Sequence, residues 1–508
     1  MSTIDYLLSG FATALQWHNL LFAFIGVLIG TSVGVLPGIG PMSGVALLMP
    51  VTASITGSLS PEEAATASII LLAGVYYGAM YGGSTTSILL NTPGESSSVV
   101  TTLDGYQMAR QGRAGAALSI AAIGSFVGGI VALLGLIFLA QPLTQLALTF
   151  GPAEYFSLML LGLAAVTGLA GKSMTKALIM TVFGLMLSTI GIDPVAGVSR
   201  FTYDIPALYS GLQFLTVAVG VFALGEVFRT ILEREHSGGS IAKINRITPT
   251  RQDLQDSAGA IARGSLLGFF IGVLPGAGAT LASFLSYMME KKFSRDPAKF
   301  GKGAIEGVAA PESANNAAAG GAMIPLLTLG IPGSGTTAIL LSAFVMYNIQ
   351  PGPLLFSQHP YVAWGVIASM LIGNLVLLIL NLPLVKVFAK VIQTPTKYLI
   401  PLIVAFSVFG VYAVLYSVFD LLLLIGCGVL GYYLSKHDFP LAPLVLGLVL
   451  GPMVENNLRR ALTMSNNDVT IFLREPLSLT FLVIGLLWLI VPLLMKWKGK
   501  KVIISEEA

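Results

Sequence analysis

The stretch Gly34-Val35-Leu36-Pro37-Gly38-Ile39-Gly40 returns 238 residues later as Gly272-Val273-Leu274-Pro275-Gly276-Ala277-Gly278. Each copy interrupts a long apolar run with a Leu-Pro-Gly step. Proline removes a backbone donor and clashes with the preceding turn, so it breaks a helix. The glycines that follow permit dihedrals other residues avoid. Two more landmarks recur at nearly the same offset: Gly82-Gly83 with Gly320-Gly321, and Pro93-Gly94 with Pro332-Gly333. The chain therefore reads as two similar halves.

The solvent for most of these residues is lipid. Of 508 residues, 55% are hydrophobic and 10% are charged, against about 25% charged in a soluble protein. The mean hydropathy of +0.84 points the same way. A net charge of +3 gives no reason to expect nucleic acid as a partner. The single cysteine, Cys427, lies in an apolar run and reads as a small buried hydrophobe. The first 100 residues hold no Lys or Arg, so no positively charged signal-peptide region is expected.

Apolar segments run near 19–36, 41–57, 64–90, 114–140, 153–170, 173–192 and 206–229, then 264–288, 304–330, 334–347, 361–385, 398–415, 416–435, 440–454 and 477–495. Some pair into hairpins, which leaves about 10–12 membrane segments at ~20 residues per crossing. The expected fold is an all-α polytopic membrane protein with two inverted repeats, helical hairpins and Gly/Pro-broken helices. The expected divisions are a first repeat at 1–229, a cytoplasmic linker at 230–260, a second repeat at 261–455, and an extra helix with a basic tail at 456–508.

Positive charge assigns the sides. The linker, the loop 291–302 and the tail are Lys/Arg-rich and read as cytoplasmic, whereas 141–152 and 348–360 carry neither residue and read as external. The loop 455–476 breaks the pattern with Arg459, Arg460 and Arg474. Loop 58–63 reads external while its counterpart 291–302 reads cytoplasmic, so the halves should be inverted. Segment 264–288 has cytoplasmic charge on both flanks and should enter and return, each arm about 11 residues.

Irregular backbone at membrane depth persists only where protein or a water-filled cavity satisfies it. Pro37, Gly38, Gly40, Pro275, Gly276 and Gly278 are therefore candidate binding positions, since freed amides at a helix N-terminus attract anions. The alternative for any one copy is a kink or a packing glycine; Gly128 reads as ordinary scaffold. A polar cluster follows each tip. The first holds Ser84, Thr85, Thr86, Ser87, Asn91, Thr92, Pro93, Gly94 and Glu95, then Ser96 to Ser98. The second holds Glu312, Ser313, Asn315, Asn316, Pro332, Gly333, Ser334, Gly335, Thr336 and Thr337. Their hydroxyls and amides can donate to carboxylates, and their oxygens can ligate Na⁺; the competing role is interhelical hydrogen bonding. Glu306, Asp193 and Asp420 are further carboxylates in or near apolar runs.

No catalytic constellation is found, so an enzyme is not expected. Gly171-Lys172-Ser173 resembles the end of a phosphate-binding loop, but Val166 stands where a glycine is required. The four histidines, His18, His236, His359 and His437, lack metal-ligand spacing.

GVLPGIGP, YGGSTTSILLNTPGESSSVVTTLDGYQMARQGRAG, GVLPGAGAT, AAPESANNAAAGGAMIPLLTLGIPGSGTTAILL and IQPGPLLF resemble the signatures of the tripartite tricarboxylate transporter large membrane subunit (TctA-type), over roughly residues 15–495. The resemblance implies the large permease subunit of an ion-gradient-driven importer of tricarboxylates or dicarboxylates such as citrate. It implies a small membrane subunit and a periplasmic solute-binding protein as partners. No cofactor is expected beyond a coupling ion, Na⁺ or H⁺, and the location implied is the bacterial inner membrane. The rival readings are an anion channel and a non-transporting membrane scaffold subunit.

Overall fold

The computed structural model describes residues 3–36, 40–56, 59–169, 173–193, 196–233, 248–274, 278–385, 387–388 and 396–497. Its helices in chain order are α1 (Thr3–Ala14), α2 (Trp17–Val35), α3 (Pro41–Ile55), α4 (Pro61–Leu90), α5 (Thr101–Arg110), α6 (Ala114–Ala147), α7 (Pro152–Leu169), α8 (Met174–Ser188) and α9 (Phe214–Glu233). There follow α10 (Arg251–Val273), α11 (Gly278–Phe293), α12 (Glu306–Gly321), α13 (Met323–Leu329), α14 (Gly335–Met346), α15 (Pro353–Gln358), α16 (Pro360–Asn381), α17 (Thr396–Leu415), α18 (Val418–Lys436), α19 (Leu441–Met464), α20 (Ile471–Arg474) and α21 (Pro476–Trp497). One two-stranded antiparallel ladder, Gly191–Ile192 with Ser199–Arg200, is the extended structure among the described residues. Among the described residues, eight helices are long and apolar enough to cross a membrane, and five shorter apolar helices accompany them. The chain is an all-α polytopic membrane protein.

Two compact units divide it: residues 1–144 with 233–406, and 145–232 with 407–508. Each unit draws on both halves of the sequence, so the units cut across the repeat boundaries.

In the first unit the helix before each Leu-Pro-Gly step lies against the helix that follows the hairpin. A Cβ on Gly26, Gly30 or Gly34 of α2 would fall 2.3, 2.4 or 2.1 Å from the carbonyl oxygens of Leu71, Val75 and Ala79 on α4. A Cβ on Gly264, Gly268 or Gly272 of α10 would likewise fall 2.5, 2.2 or 2.3 Å from the carbonyl oxygens of Ala310, Ala314 and Ala318 on α12. Glycine every fourth residue lines one helix face, and backbones touch where lipid-like side chains would hold them apart. Both helices end alike, on an extended Leu36 (φ −88°, ψ 116°) and Leu274 (φ −76°, ψ 120°).

The second hairpin is longer than its hydropathy suggests. Helix α10 starts at Arg251, not near 264, because Thr250 and Asp253 form a reciprocal cap on its first turn. Charge along its first turns stops a hydropathy reading but not a helix. The expected linker 230–260 is thus helical at 230–233 and 251–260, and 234–247 lies outside the described residues. Helix α1 was likewise invisible to hydropathy. Tyr6 stacks on Trp364 of α16 at 5.9 Å, and a Cβ on Gly10 would sit 2.3 Å from the Trp364 carbonyl. Gly128 is not free scaffold: a Cβ there would lie 2.2 Å from the Ser313 carbonyl, so α6 packs directly on α12.

In the second unit α19 crosses α8: a Cβ on Gly184 would fall 2.0 Å from the Leu444 carbonyl oxygen, and one on Gly447 2.5 Å from that of Thr181. Gly220 of α9 packs on Cys427, which is free and buried as expected. The arginine that breaks the charge pattern, Arg459, sits in α19 rather than in a loop. Its guanidinium donates to Asp193 at 3.3 and 2.8 Å and to Glu455 at 2.7 Å, and Arg200 grips Glu455 at 2.7 and 3.2 Å.

Candidate functional site

The expected site residues that the structure describes fall in the first unit. Pro37, Gly38, Pro275 and Gly276 lie outside the described residues. Their neighbours Gly40 and Gly278 open α3 and α11, and Gly278 takes a left-handed φ of 64°.

The breaks after α4 and α13 are built alike. Helix α4 closes on Asn91 and α13 on Gly330, both left-handed, with φ of 58° and 72°. Pro93-Gly94 and Pro332-Gly333 follow. Glu95 (φ −149°, ψ 166°) and Ser334 (φ −153°, ψ 169°) then cap the next turn. Each is paired in a reciprocal box three residues on, with Ser98 and Thr337. Asn91 and Gly330, Glu95 and Ser334, and Ser98 and Thr337 are each 239 residues apart.

Close backbone approach fixes the first break. A Cβ on Gly94 would meet the Gly34 carbonyl at 2.1 Å, Gly83 Cα at 2.7 Å and Thr86 Oγ1 at 2.7 Å. Gly94 therefore sits where α2 and α4 cross. Glu95 is buried; Ser97 donates its hydroxyl to Glu95 Oε1 and its amide to Oε2 at 3.4 Å. Gly40 faces the Glu95 Cβ, a Cβ on it falling 3.6 Å away. Ser96 shares a 3.0 Å hydroxyl contact with Thr280, two residues past Gly278. The flanks of both hairpin tips thus reach the same Gly-Glu-Ser turn. On α4, Tyr76 Oη lies 3.5 Å from Ser334 Oγ, which ties the second break to the same helix. Gly333 packs on Ala322, where α12 gives way to α13. Pro332 and Thr336 are buried, and Gly335 is half-buried.

Other hydroxyls of the first cluster bond within their own helix, and Ser87 also reaches Ser98 Oγ at 2.9 Å. Ser84 donates to the Tyr81 carbonyl, while Thr86 and Ser87 donate to that of Gly83. Thr85 is buried, whereas Asn91 and Thr92 are exposed at the helix end. In the second cluster Glu312 is fully buried. Thr101 Oγ1 donates to Glu312 Oε1 and Asn315 Nδ2 donates to Oε2 at 3.3 Å. Asn316 Nδ2 reaches Ser125 Oγ at 2.8 Å and Asn315 Oδ1 at 2.6 Å.

The remaining candidate carboxylates each have a partner within the protein. Glu306 pairs with Lys299, Asp193 with Arg459, and Asp420 accepts from Thr216 at 3.0 Å while Ser417 caps its turn. Asp104 was not singled out by its sequence context. It is fully buried, and its Oδ1 accepts the amides of Gly301, Gly303 and Ala304 at 2.9, 2.8 and 2.8 Å. Its Oδ2 accepts from Tyr287 Oη at 2.9 Å. This carboxylate locks α5 onto the loop before α12. Tyr81 and Asn374 were also missed; they bond at 2.6 Å between α4 and α16. An asparagine inside the apolar run 361–385 was the available signal.

Residues 20–446 match the family described as "Tripartite tricarboxylate transporter TctA family". The chain is 47% identical over 509 residues, covering all of both chains, to the "Uncharacterized 52.8 kDa protein in TAR-I ttuC' 3'region" of Agrobacterium vitis. It is 48% identical over 234 residues, 46% of this chain and 97% of the other, to the "Uncharacterized protein in TAR-II ttuC' 3'region" of the same organism. No solved structure matches it.

Proposed function

The chain belongs to the tripartite tricarboxylate transporter TctA family, and from that premise we propose that it is the large permease subunit of a secondary active importer of di- or tricarboxylates such as citrate. It takes substrate from a periplasmic binding protein and works with a small membrane subunit in the bacterial inner membrane. Na⁺ or H⁺ supplies the driving gradient. The two halves are inverted repeats, and their broken helices bind the substrate.

One observation carries this reading. Matched helix breaks, Asn91 to Ser98 and Gly330 to Thr337, meet one buried helix, α4, and the flanks of both Leu-Pro-Gly tips approach the first break. Amides at the start of a helical turn favour anions. Discontinuous helices from paired halves, near the middle of a membrane, are the usual site of such transporters. No Lys or Arg among the described residues pairs with Glu95 or Glu312. Carboxylate capture here therefore falls to backbone amides, hydroxyls and bound cations.

The test is reconstitution of the membrane subunits in liposomes with the cognate binding protein. Uptake of a panel of labelled mono-, di- and tricarboxylates is followed under imposed Na⁺ or pH gradients. Uptake of di- or tricarboxylates that needs the binding protein and a gradient supports the reading. A chain that lets anions equilibrate without either is a channel, and one that moves nothing is a scaffold.

A further inference from the structure

Resting on the transport reading above, we propose that Glu312 and Asn316 hold one coupled monovalent cation, at a position distinct from the helix breaks that take the substrate. Glu312 has no exposed surface, and the groups that bond its carboxylate, Thr101 and Asn315, are neutral. An isolated ionised carboxylate in a low-dielectric interior is strongly disfavoured even after relaxation. Two neutral donors soften that cost but bring no opposite charge. A bound cation does.

Asn316 supplies the second, independent sign. Its Nδ2 is used three times over, by Asn315 Oδ1 at 2.6 Å, Ser125 Oγ at 2.8 Å and the Glu312 carbonyl at 3.1 Å. Its Oδ1, on a side chain only 1% exposed, has no partner. Buried amide oxygens are rarely left so. One turn along α12, the Tyr77 hydroxyl lies against Gly320 and is buried without a partner too. Carboxylate, amide and hydroxyl oxygens are what a hard cation takes.

The charge of the ion follows from the count of carboxylates. No group of three or more His, Cys, Asp or Glu side chains converges among the described residues. One carboxylate balances one positive charge, so the occupant is Na⁺ or H⁺. Several charged groups near α12 are otherwise engaged. Asp104 on α5 is saturated by three amides and Tyr287. Arg263 on α10 is paired with Glu290 on α11, and Lys299 with Glu306. Glu95 is held by Ser97. The arrangement explains coupling in physical terms: an anionic substrate entering this unit meets an unneutralised Glu312 unless the cation is already there.

The experiment compares wild type, Glu312→Gln and Asn316→Ala, each purified in detergent and checked for thermal stability, then reconstituted with the binding protein and small subunit. Binding of ²²Na⁺ at fixed pH, and proton uptake in unbuffered medium, are measured on the purified protein. Accumulation under Na⁺ and pH gradients is measured in liposomes. With Na⁺ as occupant, wild type binds ²²Na⁺, Glu312→Gln loses that site, and Asn316→Ala weakens it by about tenfold. With H⁺ as occupant, wild type takes up a proton that Glu312→Gln does not, and ²²Na⁺ binding is absent. In either case the gradient no longer raises the accumulation ratio of Glu312→Gln above one. Unchanged cation binding and unchanged gradient response in Glu312→Gln overturn the proposal while leaving the transport reading intact. If wild type itself fails to accumulate substrate, the transport reading fails and the binding arm still judges the site. If Glu312→Gln does not fold, Asn316→Ala decides.

Discussion

Gly30 and Val75 lie so close that a Cβ on Gly30 would fall 2.4 Å from the Val75 carbonyl oxygen, and Gly268 stands in the same relation to Ala314 at 2.2 Å. Neither contact can relax by turning a side chain, because the neighbour is backbone. Gly30→Ala and Gly268→Ala should each cost about 1–3 kcal/mol through forced separation of the helices. The measurement is thermal unfolding in detergent. Gly426→Ala is the control: nothing lies within 4 Å of its Cβ position, and it should not lower the melting temperature. Equal stability of all three would refute the packing account. Gly128, against the Ser313 carbonyl, belongs with the first group.

The tip glycines should behave differently. Gly38 and Gly276 each follow the proline of a Leu-Pro-Gly step; under the transport reading a substrate carboxylate approaches an amide there, and a branched side chain would block it. A lost charge-assisted hydrogen bond is worth ~1.5–3 kcal/mol, or roughly 10–150-fold in affinity. Gly38→Val and Gly276→Val should therefore cut uptake by about tenfold or more while insertion and melting temperature stay near wild type. Loss of uptake only in proportion to loss of folded protein would count against the site.

Asp104 should prove structural rather than transporting. Asp104→Asn replaces an acceptor facing three amides with a group that can present N–H to N–H. The loss of charge-assisted bonds to a buried carboxylate should cost about 2–3 kcal/mol. The expected signature is a lower melting temperature with faster proteolysis in 294–303, and residual uptake that tracks the folded fraction. A stable Asp104→Asn protein that fails to transport would assign the residue a functional role.

Topology follows from the Lys/Arg asymmetry. Single cysteines at 235–250 or 292–300 should label only from the cytoplasm, and those at 143–150 or 350–358 only from outside. Native Cys427 is buried and contributes little background. Outside labelling of 292–300 would remove both the hairpin at 264–288 and the inversion of the halves.

Much of this was legible because backbone breaks in a membrane protein need particular residues. Pro93-Gly94 and Pro332-Gly333 announced two irregular turns, and the structure places a left-handed Asn91 or Gly330 just before each. Hydropathy found the apolar helices but lost α1 and the first half of α10, since amphipathic turns capped by Thr250 and Asp253 carry charge without ceasing to be helical. The hydroxyl clusters divide between two uses. Ser84 and Thr86 return their hydrogen bonds to carbonyls of their own helix, whereas Ser87 also reaches Ser98 in the break that follows. Asp104 was under-read, because nothing local says that three amides from residues 301–304 will meet it.

The central claim is that this subunit couples carboxylate movement to a cation gradient. Its most direct test is the steady-state accumulation ratio of labelled substrate in liposomes carrying the complete system, measured as the imposed Na⁺ or pH gradient is stepped and then collapsed by ionophore. The account predicts a ratio above one that rises with the gradient of one cation and returns to one on collapse. A ratio fixed at one across all gradients, with substrate still entering, would contradict it.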